Sequence, residues 1–128
     1  MIGVYLAHPY SAGSRNRANA LAWCVWLFEN GFSPSANWLL LVNQLEETPE
    51  NREIGLACDI DQVARQDVFL AVGRRVSDGM WREMDAAVDA GVPVINATGT
   101  ASPYDLSAEQ EENLCVALRA AAKKVAKP

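Results

Sequence analysis

The feature that most limits this chain is an apolar run without polar alternation, Val68–Val72 (VFLAV), lying between two helical patterns. A strand that is apolar on both faces needs cover on both faces, as in a parallel sheet lined by helices. A Gly-containing loop through Ser77 and Gly79 follows it, then a helical pattern from Asp78 to Ala90 closed by Gly91. A second run of this kind, Ile2–Ala7 (IGVYLA), leads into the loop HPYSAGS and a helix from about Arg15 to Asn30, ended by Gly31. Strands alternating with helices at this spacing predict an α/β fold: a three-layer, doubly wound parallel sheet of the flavodoxin or Rossmann type. In such sheets ligands gather beyond the C-terminal ends of the strands, where the next helix offers free N–H groups to an anion.

The remaining segments fill in around these two units. Phe32–Ala36 reads as a short second strand, irregular or near an edge because of Pro34. Asn37–Glu47 reads as either a short helix or a lid loop. Thr48-Pro49-Glu50 supplies an N-cap, a Pro at the first helical position and an acidic first turn, starting a helix to about Gln66. Val92–Asn96 is a fourth strand with Pro93 at its start. Ser107-Ala-Glu-Gln is a capping box for a last helix, whose acidic start and basic end (Lys123, Lys124, Lys127) suit the macrodipole. Leu114, Ala117, Leu118, Ala121 and Val125 form its inner stripe. In the first helix, Ala18, Leu21, Ala22, Val25 and Phe28 are expected to face the sheet. Trp23, Trp26 and Leu27 are expected to face away, covered by another subunit, so a homodimer or higher homo-oligomer is predicted.

At 128 residues the chain is expected to be one domain, 1–128. Eleven basic and sixteen acidic side chains give 11 − 16 = −5, which argues against a nucleic acid polymer as partner. Three scattered cysteines (Cys24, Cys58, Cys115) read as reduced core thiols, and a single histidine argues against a metal site. Met1 leads straight into a strand, and no apolar stretch approaches the roughly 20 residues of a membrane span. The expectation is a cytoplasmic protein without membrane contact, metal or other cofactor.

Candidate chemistry centres on two carboxylates. Glu83 lies three residues after Met80 and four before Ala87, on the apolar stripe of its own helix. With Ser77 as N-cap, the capping-box position is Met80, so Glu83 lies a turn too late to cap anything. Asp59, between Leu56 and Val63, also points inward, and burial would suit it to a general acid. Its alternative is an ion pair at the helix edge with Arg52 or Arg65. Ser77 and Gly79 are either a cap and a turn or an anion cradle, to which Arg15 or Arg17 would contribute charge. Tyr5 is either a core residue or the group that orients Glu83. Trp38 and Trp81 are either core or interface residues or stacking platforms for a heterocycle, and Asp67 is expected to anchor nearby amides.

These residues resemble a known family. YLAHPYS at the first strand, Asp59 eight residues before Asp67, and S-D-G-M-W-R-E from Ser77 to Glu83 are similar to the nucleoside 2-deoxyribosyltransferase-like proteins. That superfamily includes the deoxynucleoside 5′-monophosphate N-glycosidases, and the likeness, strongest to a small bacterial and phage branch, runs from residue 1 to about 97. It implies an enzyme in which Glu83 attacks C1′ of the sugar, Asp59 handles the proton of the base, and Tyr5 holds the nucleophile. The partner is then a small nucleotide or nucleoside. Transferases of the family commonly carry aspartate six residues before the glutamate, and the nucleotide hydrolases carry serine. Ser77 therefore implies a 5′-monophosphate, held at Ser77 and Gly79 and by Arg15. His8 stands where the family often has glycine and either crowds or binds the phosphate. Asp78 adds a negative charge beside it unless it faces a sugar hydroxyl. Asn37-Trp38 replaces the Pro-His frequent in this branch.

Overall fold

The computed structural model describes residues 1–9, 14–41 and 44–125. Its four strands are β1 (Gly3–Ala7), β2 (Ser33–Ser35), β3 (Val68–Ala71) and β4 (Val94–Asn96), all parallel, in the order β2-β1-β3-β4. The helices are α1 (Ser14–Glu29), α2 (Pro49–Val63), α3 (Asp78–Asp89) and α4 (Ala108–Val125). Right-handed crossovers put α2 and α3 against one face of the sheet and α1, with α4, against the other. The expected doubly wound α/β architecture is the observed one.

The two unalternated runs take the centre of the sheet. Val4–Ala7 and Val68–Ala71 are fully or almost fully buried, and Tyr5 stacks on Phe69 across the pair at 5.4 Å. Asp67 fixes the register at the N-terminal end. Its carboxylate accepts the Gly3 N–H at 2.7 Å, and its own N–H donates to the Gly3 carbonyl at 3.0 Å. The C-terminal end is closed by Gly73, which donates to the Thr100 carbonyl and accepts from the Gly99 N–H. Gly73 has φ +98°, and a Cβ there would lie 2.7 Å from Pro9 Cδ, so only glycine fits this junction.

Helix starts follow the cap residues closely. Thr48 Oγ1 accepts from the Asn51 N–H, and Ser107 and Gln110 exchange the two bonds of a capping box. At α3 the Ser77 hydroxyl accepts the Met80 N–H at 3.3 Å, while the Met80 sulfur takes the reciprocal role toward the Ser77 N–H. Two ends move. α2 stops at Val63 rather than near Gln66, and β4 begins at Val94, after Pro93. Asn37–Leu40 forms a 3₁₀ turn, and a second spans Pro103–Asp105. Residues 10–13 of the expected first loop, residues 42–43 and the chain beyond 125 lie outside the described residues.

The face assigned to α1 is corrected. Ala20, Trp23, Trp26 and Leu27 are buried, whereas Leu21, Val25 and Phe28 are 42, 50 and 74% exposed. Both stripes have helical spacing, but the tryptophan stripe buries more apolar area. Its indole N–H groups also find acceptors inside the fold: Trp23 on the Ala101 carbonyl and Trp26 on Glu111 Oε1 of α4 at 2.7 Å. The sheet therefore takes the larger rings, and the argument for an oligomer from the Trp23/Trp26/Leu27 face falls. Cys58 is exposed rather than a core thiol; Cys115 is buried and Cys24 half-buried. In α4, Leu118 is buried as expected, joined by Cys115 and Ala122. Trp26→Asp is expected to lower stability by about 3–5 kcal/mol in urea unfolding. Phe28→Asp should stay within about 0.5 kcal/mol, as at other exposed positions. The reverse ranking would overturn the assignment.

Candidate active site

Alternation along β1 turns Tyr5 toward the α2/α3 face, where its hydroxyl donates to Glu83 Oε2 at 2.5 Å. Glu83 is only 7% exposed, because it shares the inner stripe of α3 with Met80, Met84 and Ala87. Asp59, half-buried on α2, lies close enough for its charge to act on both Tyr5 and Glu83. The proposed edge pairings of Asp59 are not formed: Arg52 meets Glu47 at 3.6 Å and Arg65 meets Asp61 at 3.0 Å. Asp59 takes part in no ion pair among the described residues. The two helices are clasped at the surface by Arg82 on Glu53 at 3.2 Å. That exposed pair contributes little energy, but it ties the residue next to Glu83 to the helix carrying Asp59.

Burial sets the electrostatics of the three groups. Desolvation pushes the Glu83 carboxyl up to about 8; the Tyr5 hydrogen bond opposes the rise and the Asp59 charge adds to it. Desolvation alone lifts Asp59 to about 7. Tyr5 stays a phenol far above its ordinary value, for burial first and the carboxylate charges second. The carboxyls therefore titrate as a pair that holds a single proton between about 7 and about 8. One ionised and one protonated carboxyl beside a phenol donor is a set able to act as nucleophile and acid together.

The other expected site residues divide into two groups. Ser77 and Gly79 are half-buried at the start of α3 and Asp78 is exposed. The Ser77 hydroxyl accepts from Met80 and keeps its own proton to donate. Arg15 and His8 instead line a cleft of about 270 Å³ with Pro9, Asn16, Asn19, Arg74, Arg75 and Ala101, and neither Ser77 nor Gly79 is among its walls. Trp38 is buried, with its indole N–H donating to the Leu6 carbonyl at 3.1 Å, so its polar edge is committed to β1. Trp81 is half-exposed. Sequence reasoning overlooked Arg74 and Arg75. The signal was present: two arginines directly after a buried strand, in the loop where ligands of such sheets bind. Among the described residues no group of three His, Cys, Asp or Glu side chains is placed to hold a metal ion. No helix there is long and apolar enough to cross a membrane.

With this geometry established, comparison with known proteins gives a family. The profile of a domain of unknown function, DUF7768, matches residues 3–97, which spans all four strands and the three helices that connect them. The chain belongs to the DUF7768 family. No curated protein matches it. Among solved structures, this DUF7768 chain is similar to a 2-deoxyribosyltransferase from the psychrotolerant bacterium Bacillus psychrosaccharolyticus. The TM-score is 0.61 at 20% identity, over 77% of this chain and 73% of that one. That likeness is one of fold, the Rossmann-like sheet flanked by helices.

The raised carboxyls have a consequence for stability. A folded carboxyl that holds its proton up to about 8 is still protonated where the unfolded chain has already ionised. Stability should therefore fall as pH rises from about 4.5 to about 8. Glu83→Gln keeps the shape and removes the Glu83 share of that slope, leaving the share of Asp59. Its melting temperature should exceed wild type by about 4 °C or more near pH 8 and by much less near pH 5. Equal differences at both pH values would contradict a buried, proton-holding Glu83.

Proposed function

We propose that this DUF7768 protein cleaves the N-glycosidic bond of a nucleoside 5′-monophosphate or nucleoside through a glycosyl-enzyme on Glu83. The observation that carries the reading is the buried Tyr5–Glu83 hydrogen bond with Asp59 beside it. A protein that merely held an anion has little use for two inward carboxylates. The fold shared with a 2-deoxyribosyltransferase supports the same choice.

In this mechanism the reactive form is the one in which the single proton of the pair has moved from Glu83 to Asp59, and ionised Glu83 then attacks C1′ as the bond from C1′ to the base nitrogen breaks. The bonding pair leaves with the base, and Asp59 delivers the proton that neutralises it. Asp59, now ionised, takes a proton from the incoming water, whose oxygen attacks C1′ and releases Glu83. A second base arriving in place of water gives transfer instead of hydrolysis. Tyr5 holds the Glu83 carboxylate in one orientation and favours its ionised form. The phosphate is assigned to the Ser77 hydroxyl and the free amides of the first turn of α3.

The test is chromatographic detection of free base from ribo- and deoxyribonucleoside monophosphates and nucleosides, with and without an acceptor base. Base release is expected from wild type and absent in Glu83→Ala. Saturable nucleotide binding without turnover, unchanged in Glu83→Ala, would instead identify a nucleotide-sensing module. The pH profile of kcat/KM should be bell-shaped with its optimum between about 7 and about 8. Below it both carboxyls are protonated and no nucleophile exists; above it both are ionised and no acid remains. Tyr5→Phe should lower kcat/KM roughly 10–100-fold, through loss of one hydrogen bond to a charged group. It should also move the alkaline limb upward, since the last proton of the coupled pair, which Glu83 shares with Asp59, is then lost later.

A further inference from the structure

On the side of α1 away from the sheet runs a row of side chains that the fold leaves uncovered. Ala18, Leu21, Val25 and Phe28 are all exposed, and they recur at intervals of three, four and three residues. That interval is the a/d heptad of helices that pack in pairs, narrower than the stripe of a helix laid on a sheet. The sheet-facing stripe of α1 is the separate one of Ala20, Trp23, Trp26 and Leu27. The outer row therefore adds nothing to the core of the subunit. Exposed apolar residues scattered singly are ordinary, but a continuous ridge of them marks a contact surface.

The charges at the two ends of α1 say what covers the ridge. Arg15 stands in the first turn and Glu29 is the last residue, each at the end of the helix where the macrodipole opposes it. Neither forms an ion pair among the described residues. Arg119 of α4, which reaches the end of α1, donates to the Asn30 carbonyl and lies over the Phe32 ring. The two charges are 29 − 15 = 14 residues apart, or two heptads, so they share one flank of the ridge. A helix of the same sequence running the other way brings a glutamate to Arg15 and an arginine to Glu29. It also sets the two dipoles in opposition. Side-chain sizes agree with that orientation. With a two-fold axis level with Trp23, Leu21 meets the partner's Val25, and Phe28 meets the partner's Ala18. The largest side chain of the row then faces the smallest, at both ends.

We propose that the exposed ridge of α1 is a two-fold interface with a second copy of this chain, in which the two α1 helices pack antiparallel and Arg15 pairs with the partner's Glu29 at each end. A parallel pair would instead gather both arginines at one end and both glutamates at the other. This is not the contact expected from the sequence, since Trp23, Trp26 and Leu27 stay inside the subunit. The assignment does not depend on the glycosidase reading. Tyr5 and Glu83 meet on the α2/α3 face of the sheet, so a dimer through α1 leaves them uncovered. Four layers of contact make a short interface, and the dimer is expected to come and go with concentration.

The test is sedimentation of the whole protein over a concentration series. Wild type is expected to pass from monomer to dimer. Val25→Asp and Phe28→Asp, at positions exposed in the monomer, should each raise the dissociation constant about thirty-fold or more. Arg15→Glu and Glu29→Arg should each raise it about three- to tenfold, since each sets like charges together at both ends. Combining Arg15→Glu with Glu29→Arg should bring it back to within about twofold of wild type, a rescue that the antiparallel register requires. Protein that stays monomeric up to about 1 mM overturns the proposal and leaves the ridge to a different macromolecule. A dimer that survives both aspartate variants overturns it too, by placing the contact elsewhere. So does a charge-exchanged double variant that associates no better than its single parents. Urea unfolding at dilution, where wild type is monomeric, separates association from folding. Phe28→Asp and wild type should unfold alike there; a difference would assign the loss of dimer to the fold and count against the interface.

Discussion

Everything in this molecule hangs on the parallel pairing of β1 with β3. These strands are adjacent in the sheet but separated by an entire β–α unit in the chain, so their exits diverge: β1 feeds α1 on one face and β3 feeds α3 on the other. A crevice must open between the two exits. Asp67 and Gly3 lock the pair at one end, Gly73 at the other, and Tyr5 on Phe69 fills the middle. The carboxylates and the arginines lie on opposite sides of that seam, each facing the helices that its strand residues can reach.

The pleat explains how one strand serves both. Tyr5 and His8 are three positions apart in β1 and its exit, so they turn to opposite faces. Tyr5 therefore meets Glu83 beneath α3, while His8 meets Arg15 and the Arg74–Arg75 loop on the α1 side. The loop from Val72 to Ser77 joins the two regions covalently, with arginines in one and the α3 cap in the other.

The strands, the helix starts and the inward carboxylates were legible because each depends on local chemistry. An unalternated apolar run, a Thr or Ser before a helical period, and a carboxylate on an apolar stripe all announce themselves within a few residues. The faces of α1 were not legible in this way. Its two stripes have the same period, and the choice between them was made by partners far along the chain, the Ala101 carbonyl and Glu111. The arginine cleft escaped for the same reason. Arg15 and Arg74 are brought together only by the β1–β3 pairing, and His8 is buried against Pro9 and Gly73.

The outer edge of the sheet carries its own message. Ser33 donates its N–H inward to the Ile2 carbonyl, so by alternation the backbone nitrogen of residue 34 faces away from β1. That residue is proline, and the three-residue β2 therefore presents an outer rim with no donor at its centre. A neighbouring strand would find no donor at that point, only the Pro34 carbonyl. The sheet is blunted on this side: growth by adding another molecule's strand, a common accident of an open edge, is disfavoured by one ring.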